Sequence, residues 1–222
     1  MCGRFAFYSP SEATAALFGV DGSLAVEPRY NIAPTQFVAA IRDNKQQQRE
    51  LVMLRWGLVP FWAKDPSIGN RMINARAETA AEKPSYRAAF RHRRCVVLAD
   101  GFYEWCREGD VKTPHFISLA SGEPFALAGL WESWTDKASG EVLQTTTLIT
   151  TEANGFMRPL HHRMPVIVQR DGADEWLSGS MDFLLEAADE APALQAWPVD
   201  RRVNNARNEG EVLVDPAGDI IR

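Results

Sequence analysis

The feature that most constrains this fold is a succession of short β-rich runs separated by turn residues. The runs span residues 4–8, 37–41, 51–56, 95–99, 116–119, 125–130, 143–150 and 165–169. Helical patterns are fewer and span residues 75–81, 86–92, 173–177 and 181–188. Because strands do not alternate with helices, we predict an α+β domain on a curved, mostly antiparallel β-sheet with flanking helices.

One further helix is predicted near the start of the chain, over residues 13–18. Ser9 is expected to cap it, with Pro10 in its first turn and Glu12 completing a capping box. Gly19 is expected to end it. This helix is interpreted as scaffold.

Chain length and composition narrow the protein class. The 222 residues, 45% of them hydrophobic, suit one ordered domain over 1–222 with a core of about 2–212. No apolar run approaches the ~20 residues that cross a bilayer, so we expect a cytoplasmic protein without a membrane partner. Cys2, Cys95 and Cys106 fit neither a disulfide framework nor metal-ligand spacing, so no metal or cofactor is expected.

Charge is unevenly distributed. The formal net charge of -5 argues against a protein that coats nucleic acid through bulk electrostatics. However, the stretch 71–94 is rich in basic residues, whereas 171–190 contains acids and no base. The basic stretch predicts either a local nucleic-acid-binding face or an ordinary solvated helix face. Its basic residues are Arg71, Arg76, Lys83, Arg87, Arg91, Arg93 and Arg94.

Cys2 directly follows Met1. Removal of Met1 would place an α-amine and a thiol on adjacent carbons. Such an aminothiol condenses with an aldehyde to an imine, and the thiol then closes a five-membered thiazolidine at high effective molarity. An α-amine with a pKa near ~7.7–8.0 is partly neutral at physiological pH. The alternative is that cysteine occupies this position by chance.

Two polar motifs could contribute to a site. Asn74 could orient a polar reactant and Arg76 could hold a phosphate, although an Asx cap beside a surface arginine explains the same residues. The tripeptide Asn-Ala-Arg recurs at 205–207 and is not specific alone. Glu104 alternates with aromatic residues; it is either a buried acid/base with a raised pKa or a carboxylate facing water.

The remaining candidates are histidine, arginine and tryptophan side chains. His161 could move protons and Arg163 could bind phosphate. His161 and His162 are not expected to share one site, because neighbours in an extended chain face opposite ways. Trp56 is predicted to lie in the core and Trp62 to stack on unpaired bases.

Taken together, these motifs resemble the SOS response-associated peptidase family. The resemblance extends from residue 2 to about residue 210, in the family's order. It rests on residues 1–5, 29–34, 56–60, 74–79, 100–105, 161–165 and 203–205.

The resemblance implies a single α+β domain that binds single-stranded DNA and links Cys2 covalently to an abasic deoxyribose as a thiazolidine. Glu104 would be the acid/base, Asn74 would orient Cys2, and His161 would hold the sugar and promote its opening. The implied DNA contacts are Arg4, Asn31, Trp62, Arg76 and Arg163. The family is also credited with weak β-elimination, and its peptidase label fits removal of its own first residue.

The chain departs from the family at three places. His162 stands where aspartate is frequent, Cys106 where lysine is frequent, and Phe61 with Trp62 replaces a paired tryptophan. These changes bear on strand contact rather than on the chemistry.

Two alternatives to covalent trapping remain open. One is a thiol hydrolase using Cys2, His161 and Glu104, and the other is a noncovalent reader of damaged DNA. We expect a monomer that lies at the nucleoid when bound to DNA, and a mature protein without Met1.

Overall fold

The computed structural model describes residues 2–20, 24–179 and 192–222. The helix predicted over 181–188 lies outside these residues. Within them, no helix is long and apolar enough to cross a membrane.

Strands dominate the described residues. They are β1 Phe5–Phe7, β2 Arg29–Ile32, β3 Phe37–Asp43, β4 Arg49–Trp56, β5 Asn74–Arg76, β6 Arg94–Ala99, β7 Gly101–Glu108, β8 Val111–Leu119, β9 Phe125–Thr135, β10 Val142–Glu152, β11 Arg163–Pro165, β12 Ile167–Val168 and β13 Leu194–Pro198. The α-helices are α1 Ser11–Leu17, α2 Ala77–Ala80, α3 Arg87–His92 and α4 Ala173–Ser178. Short 3-10 segments cover Pro66–Arg71, Arg170–Gly172, Arg201–Asn204 and Glu211–Leu213.

The predicted α+β class is confirmed, and the strands form two sheets. In the larger sheet the order β10-β4-β3-β6-β9 returns to β10, which closes a small barrel. Closure leaves these five strands without a free edge. All but one of the barrel pairings are antiparallel; β4 and β10 run parallel.

The barrel interior explains the long buried runs in the sequence. Every residue of β6 is buried, and Cys95 fills a space against Gly129, where a Cβ would lie 2.9 Å from its Sγ. Trp56 is fully buried, as predicted, and its indole donates to the Ile73 carbonyl at 2.9 Å. Cys95 and Trp56 are therefore core residues.

A second, five-stranded antiparallel sheet has the order β13-β8-β7-β1-β2. Its strand β1 starts three residues after Cys2 and pairs with β7, so that Phe5 lies opposite Phe102. Two short strands lie beside the end of β10: β5 pairs with it in parallel and β11 in antiparallel orientation. Sequence-distant segments that carry the candidate site residues thus converge between the two sheets.

The start of α1 differs from the prediction. Pro10 is the N-cap residue and no side chain caps the helix, so neither the Ser9 cap nor the Glu12 capping box forms. Ser9 instead donates its hydroxyl and its backbone N–H to Asp100. A buried carboxylate that must be satisfied outcompetes a local cap for the same serine.

A contact between two glycines shapes the loop after β4. Gly57 has a φ of 126°, and a Cβ on either Gly57 or Gly69 would lie 2.5 Å from the carbonyl oxygen of the other. The loop can therefore fold back closely, and the Leu58 N–H donates to the Met72 carbonyl at 3.1 Å. This fold-back presents the loop tip, which contains Trp62, to solvent.

Candidate functional site

Cys2 and Asn74 form the centre of the candidate site. The Asn74 side chain, at the start of β5, donates from Nδ2 to the Cys2 carbonyl at 2.7 Å. Cys2 is fully buried, and the Tyr86 hydroxyl donates to the Asn74 carbonyl at 3.2 Å. Asn74 therefore lies against the backbone of Cys2, the residue that the family resemblance implies it orients.

Glu104 lies beside this pair, on the face of β7 that points into the molecule. Its side chain is 3% exposed, so the interpretation of a carboxylate facing water is wrong. Burial raises the pKa of the Glu104 carboxyl group, whereas nearby His162 acts in the opposite direction. Burial also raises the pKa of the Cys2 thiol, and the charge of Glu104 raises it further. Burial therefore shifts both groups toward their protonated forms.

His161 and His162 lie together, contrary to the sequence-based expectation. Their rings stack with centroids 4.3 Å apart. The expectation failed because both residues precede β11, in a bend where side chains do not alternate between faces. Burial lowers the pKa of His161, and the neighbouring His161 ring lowers the pKa of His162.

The two predicted phosphate-binding arginines in this region differ in accessibility. Arg76 is exposed and lines an open cavity together with Arg158 and His162. Arg163 forms the inner wall of that cavity, with only 10% of its side chain exposed, and is paired with Glu78 at 2.6 Å. Arg76 is available to a phosphate, whereas the Arg163 guanidinium is already bonded within the protein.

Arg4 and Asn31 form a second polar group, on the five-stranded sheet. Asn31 is fully buried; its Oδ1 accepts from Arg4 at 2.6 Å, and its Nδ2 faces three backbone carbonyls of the 203–208 segment. Arg4 also donates to the Val203 carbonyl at 2.8 Å and lies over the Trp105 ring. Asn31 therefore positions Arg4 and this segment, and it does not reach the surface itself.

Aromatic side chains are exposed at the tip of the loop after β4. Trp62 is 50% exposed and Phe61 is 59% exposed. This is the exposure predicted for a residue that stacks on bases. Most basic residues of the stretch 71–94 are exposed as well, but Arg93 is half-buried and paired with Glu132, and Arg94 is buried between Phe90 and Trp176.

Among the residues that the structure describes, no group of three or more His, Cys, Asp or Glu side chains could hold a metal ion. The groups that converge here are a thiol, a buried carboxyl group with a raised pKa, an amide and two histidines. Such a set suits nucleophilic chemistry on a carbonyl.

Comparison with known proteins assigns the family. The model of the SOS response associated peptidase (SRAP) family matches residues 1–206. The chain belongs to the SRAP family. It is 43% identical to the abasic site processing protein YoaM of Bacillus subtilis (strain 168), covering 97% of this chain and 98% of that protein. It is 41% identical to the abasic site processing protein YoqW of the same organism, covering 97% of this chain and 99% of that protein.

A solved structure shares the SRAP fold of this chain. A crystal structure of a protein from Bacteroides thetaiotaomicron superposes with a TM-score of 0.86 at 25% identity. The match covers 97% of this chain and 100% of that one.

Sequence reasoning missed two residues that lie next to predicted site residues, namely Glu78 and His115. Glu78 lies in the motif 74–79 but was assigned no role, because its partner Arg163 lies 85 positions away in the sequence. His115 lies opposite Glu104 in the β7–β8 pairing. Directly opposed residues share a sheet face, so predicting the hairpin register would have identified His115.

Proposed function

We propose that this SRAP chain processes abasic sites in DNA by bonding covalently to the sugar through Cys2. The observation that carries the proposal is the grouping of Cys2 with Asn74, Glu104 and the two histidines. The names of the relatives YoaM and YoqW, which refer to abasic site processing, support the same substrate.

The proposed chemistry begins with removal of Met1 by hydrolysis of the Met1–Cys2 peptide bond. While that bond is intact, the Cys2 nitrogen is a peptide nitrogen and cannot condense with an aldehyde. The free amine attacks C1′ of the open-chain sugar, and the resulting carbinolamine loses water to form an imine. The Cys2 sulfur then adds to the imine carbon and the nitrogen takes up a proton, which closes the thiazolidine.

The raised pKa values of the buried groups suit this order of steps. A neutral Glu104 carboxyl can donate the proton that leaves with water, and the resulting carboxylate can accept the thiol proton during ring closure. The amine, not the high-pKa thiol, is then the first nucleophile. Asn74 holds the Cys2 backbone, and His161 is assigned to opening of the sugar ring.

We propose that DNA is held by exposed groups on both sides of this centre. Trp62 stacks on an unpaired base, and Arg76 binds a phosphate in the cavity that it shares with His162. Arg4 contacts the strand from the position that Asn31 fixes. Arg163 supports the cavity from within, so its predicted phosphate contact is indirect in this arrangement.

The proposal also covers the type of DNA strand, the side reactions, and the oligomeric state and location of the protein. A single-stranded substrate suits the exposed tryptophan, which needs an unpaired base to stack on. The imine intermediate also permits weak β-elimination of the strand, and the peptidase activity is limited to Met1. We propose a monomer that acts in the cytoplasm, at the nucleoid when bound to DNA.

The proposal is tested with single-stranded DNA that contains one abasic site. After incubation, a denaturing gel should show a heat-resistant protein–DNA band that is absent with intact DNA. Cys2→Ala should abolish the band, whereas Cys106→Ala removes a half-buried thiol from β7 and should leave it. A full-strength band with Cys2→Ala would overturn the covalent proposal and favour noncovalent binding.

The thiol-hydrolase alternative is tested with the same protein. Acetylation of the mature α-amine should abolish trapping, because imine formation needs the free amine. If the acetylated protein still cleaved unrelated peptides, Cys2 would act as a hydrolase nucleophile and trapping would not be its function.

A further inference from the structure

The Arg163 side chain is held by hydrogen bonds to Glu78 and Thr150. Its Nη1 and Nη2 donate to the two carboxylate oxygens of Glu78 at 2.6 and 3.0 Å, and Nη2 also donates to the Thr150 carbonyl at 2.7 Å. Two parallel bonds between a guanidinium and a carboxylate define orientation as well as attraction. Glu78 thus ties α2 to β11.

The backbone of the same arginine contacts His161. The Arg163 N–H and the Arg163 carbonyl oxygen each lie 2.9 Å from Nδ1 of His161. When His161 is neutral with its proton on Nε2, Nδ1 accepts from the N–H. When His161 is protonated, Nδ1 donates to the carbonyl oxygen. One peptide segment therefore supplies a partner for either protonation state of the ring.

We propose that Glu78 is a positioning residue for His161. By holding and neutralising Arg163, it fixes the backbone that serves both forms of the imidazole. The inference rests on the proposed function insofar as His161 opens the sugar, and it adds a residue for which that function gave no role.

The charges around His161 determine in which direction its pKa should change when Glu78 is replaced. Burial is the main cause of the lowered pKa of His161, and the His161 ring is the main cause of the lowered pKa of His162; the guanidinium charge of Arg163 lowers both pKa values further. The hydrogen bond between His161 and the Arg163 backbone acts in the opposite direction and raises the pKa of His161. The hydrogen bond from Arg163 lowers the pKa of Glu78, so Glu78 is ionised at neutral pH and offsets that guanidinium. Removing the carboxylate should therefore lower the pKa of His161 further. Among the residues that the structure describes, the charged or titratable groups around His161 are His162, Arg163, Glu78 behind Arg163, Arg76, Arg158 and Glu152 in the shared cavity, and Glu104 beyond His162.

The test is an NMR titration of the imidazole signals in Glu78→Gln. The His161 midpoint should fall by about half a pH unit, the shift expected when one charge is uncovered several ångströms away in a water-like dielectric. Exposed His92 on α3 serves as internal reference. Glu82→Gln removes an exposed carboxylate just past α2 and should leave His161 unchanged. Glu78→Asp keeps the charge and should restore most of the wild-type midpoint.

An unchanged or raised His161 midpoint in Glu78→Gln would overturn the inference, as would an equal shift in Glu82→Gln. Because 45% of the Glu78 side chain is exposed, the glutamine variant should fold. In parallel, the pH profile of abasic-site trapping should move to lower pH with the His161 midpoint. The titration uses no DNA, so a wild-type protein that forms no adduct would refute the proposed function and leave the titration result standing.

Discussion

Replacing Asn31 with alanine tests how the five-stranded sheet holds the 203–208 segment and Arg4. The buried amide accepts from Arg4 at 2.6 Å, and its two Nδ2 hydrogens serve carbonyls at 3.3, 3.0 and 2.9 Å. A hydrogen bond to a charged group contributes ~1.5–3 kcal/mol and each neutral one about 1 kcal/mol. Asn31→Ala should therefore reduce the free energy of unfolding by ~3–5 kcal/mol.

This loss is large for one side chain. For a chain of this length each kcal/mol corresponds to about 2 °C, so the melting temperature should fall by roughly 6–10 °C. Denaturant unfolding monitored by tryptophan fluorescence gives the free energy directly, and an unchanged m-value would show that the same transition is compared. Asn70→Ala is the control, because exposed Asn70 accepts one hydrogen bond from Arg55 at 3.0 Å and should stay within ~0.5 kcal/mol of wild type.

A double-mutant cycle with Arg4→Met isolates the charged contact. The two substitutions together should cost less than the sum of the single losses, by the ~1.5–3 kcal/mol assigned to the Arg4–Asn31 bond. A loss below about 1 kcal/mol for Asn31→Ala, or additive effects in the cycle, would refute this account of the segment.

Four other substitutions test the site, its loop and the DNA contacts. Burial raises the pKa of Glu104 in the folded protein. Its contribution to the free energy of unfolding is therefore fully present below the ordinary glutamate pKa and is lost as the pH rises through the raised pKa. In denaturant unfolding, Glu104→Gln should thus be more stable than wild type at pH 8 and equally stable at pH 4. It should nevertheless trap abasic sites about 10²-fold more slowly. A variant that became less stable than wild type as the pH rose would contradict this prediction. Gly69→Ala places a Cβ 2.5 Å from a backbone oxygen and should cost ~1–3 kcal/mol in thermal unfolding, whereas Gly155→Ala meets no atom within 4 Å and should cost far less. Trp62→Ala should weaken binding of single-stranded DNA by ~1–3 kcal/mol in a fluorescence titration without changing the melting temperature. Arg76→Gln should reduce the slope of log binding constant against log salt concentration by about 0.7. If both variants bound DNA as wild type does, neither residue would contact the DNA.

Local sequence signals predicted the elements that long apolar runs define. The buried strand β6 and the core position of Trp56 follow from apolar residues flanked by turn signals, and the structure confirms both. The short strands β2, β5 and β13 were not among the predicted runs. Strands of three to five residues carry little periodicity, and their pairing partners lie far away in the sequence.

The candidate site shows the same limit at the level of side chains. Sequence could nominate Glu104 but not its environment, because the β7–β8 pairing decides which face of the strand is buried. Ser9 is a residue type that commonly caps helices, yet its hydroxyl donates to Asp100, which lies 91 positions away in the sequence. Arg163 was predicted to bind phosphate, but in the structure its guanidinium is paired with Glu78. In each case a distant partner, absent from any local window, determines what the residue does.

The most direct test of the covalent account is mass spectrometry of the adduct formed with single-stranded abasic DNA. Digestion with trypsin and nuclease should release a peptide that begins at Cys2, ends at Arg4 and carries the deoxyribose remnant on its first residue. Its mass should be the same with and without borohydride, because a thiazolidine lacks the imine that borohydride reduces. A peptide that retains Met1, or a sugar attached to a lysine elsewhere in the chain, would contradict the account.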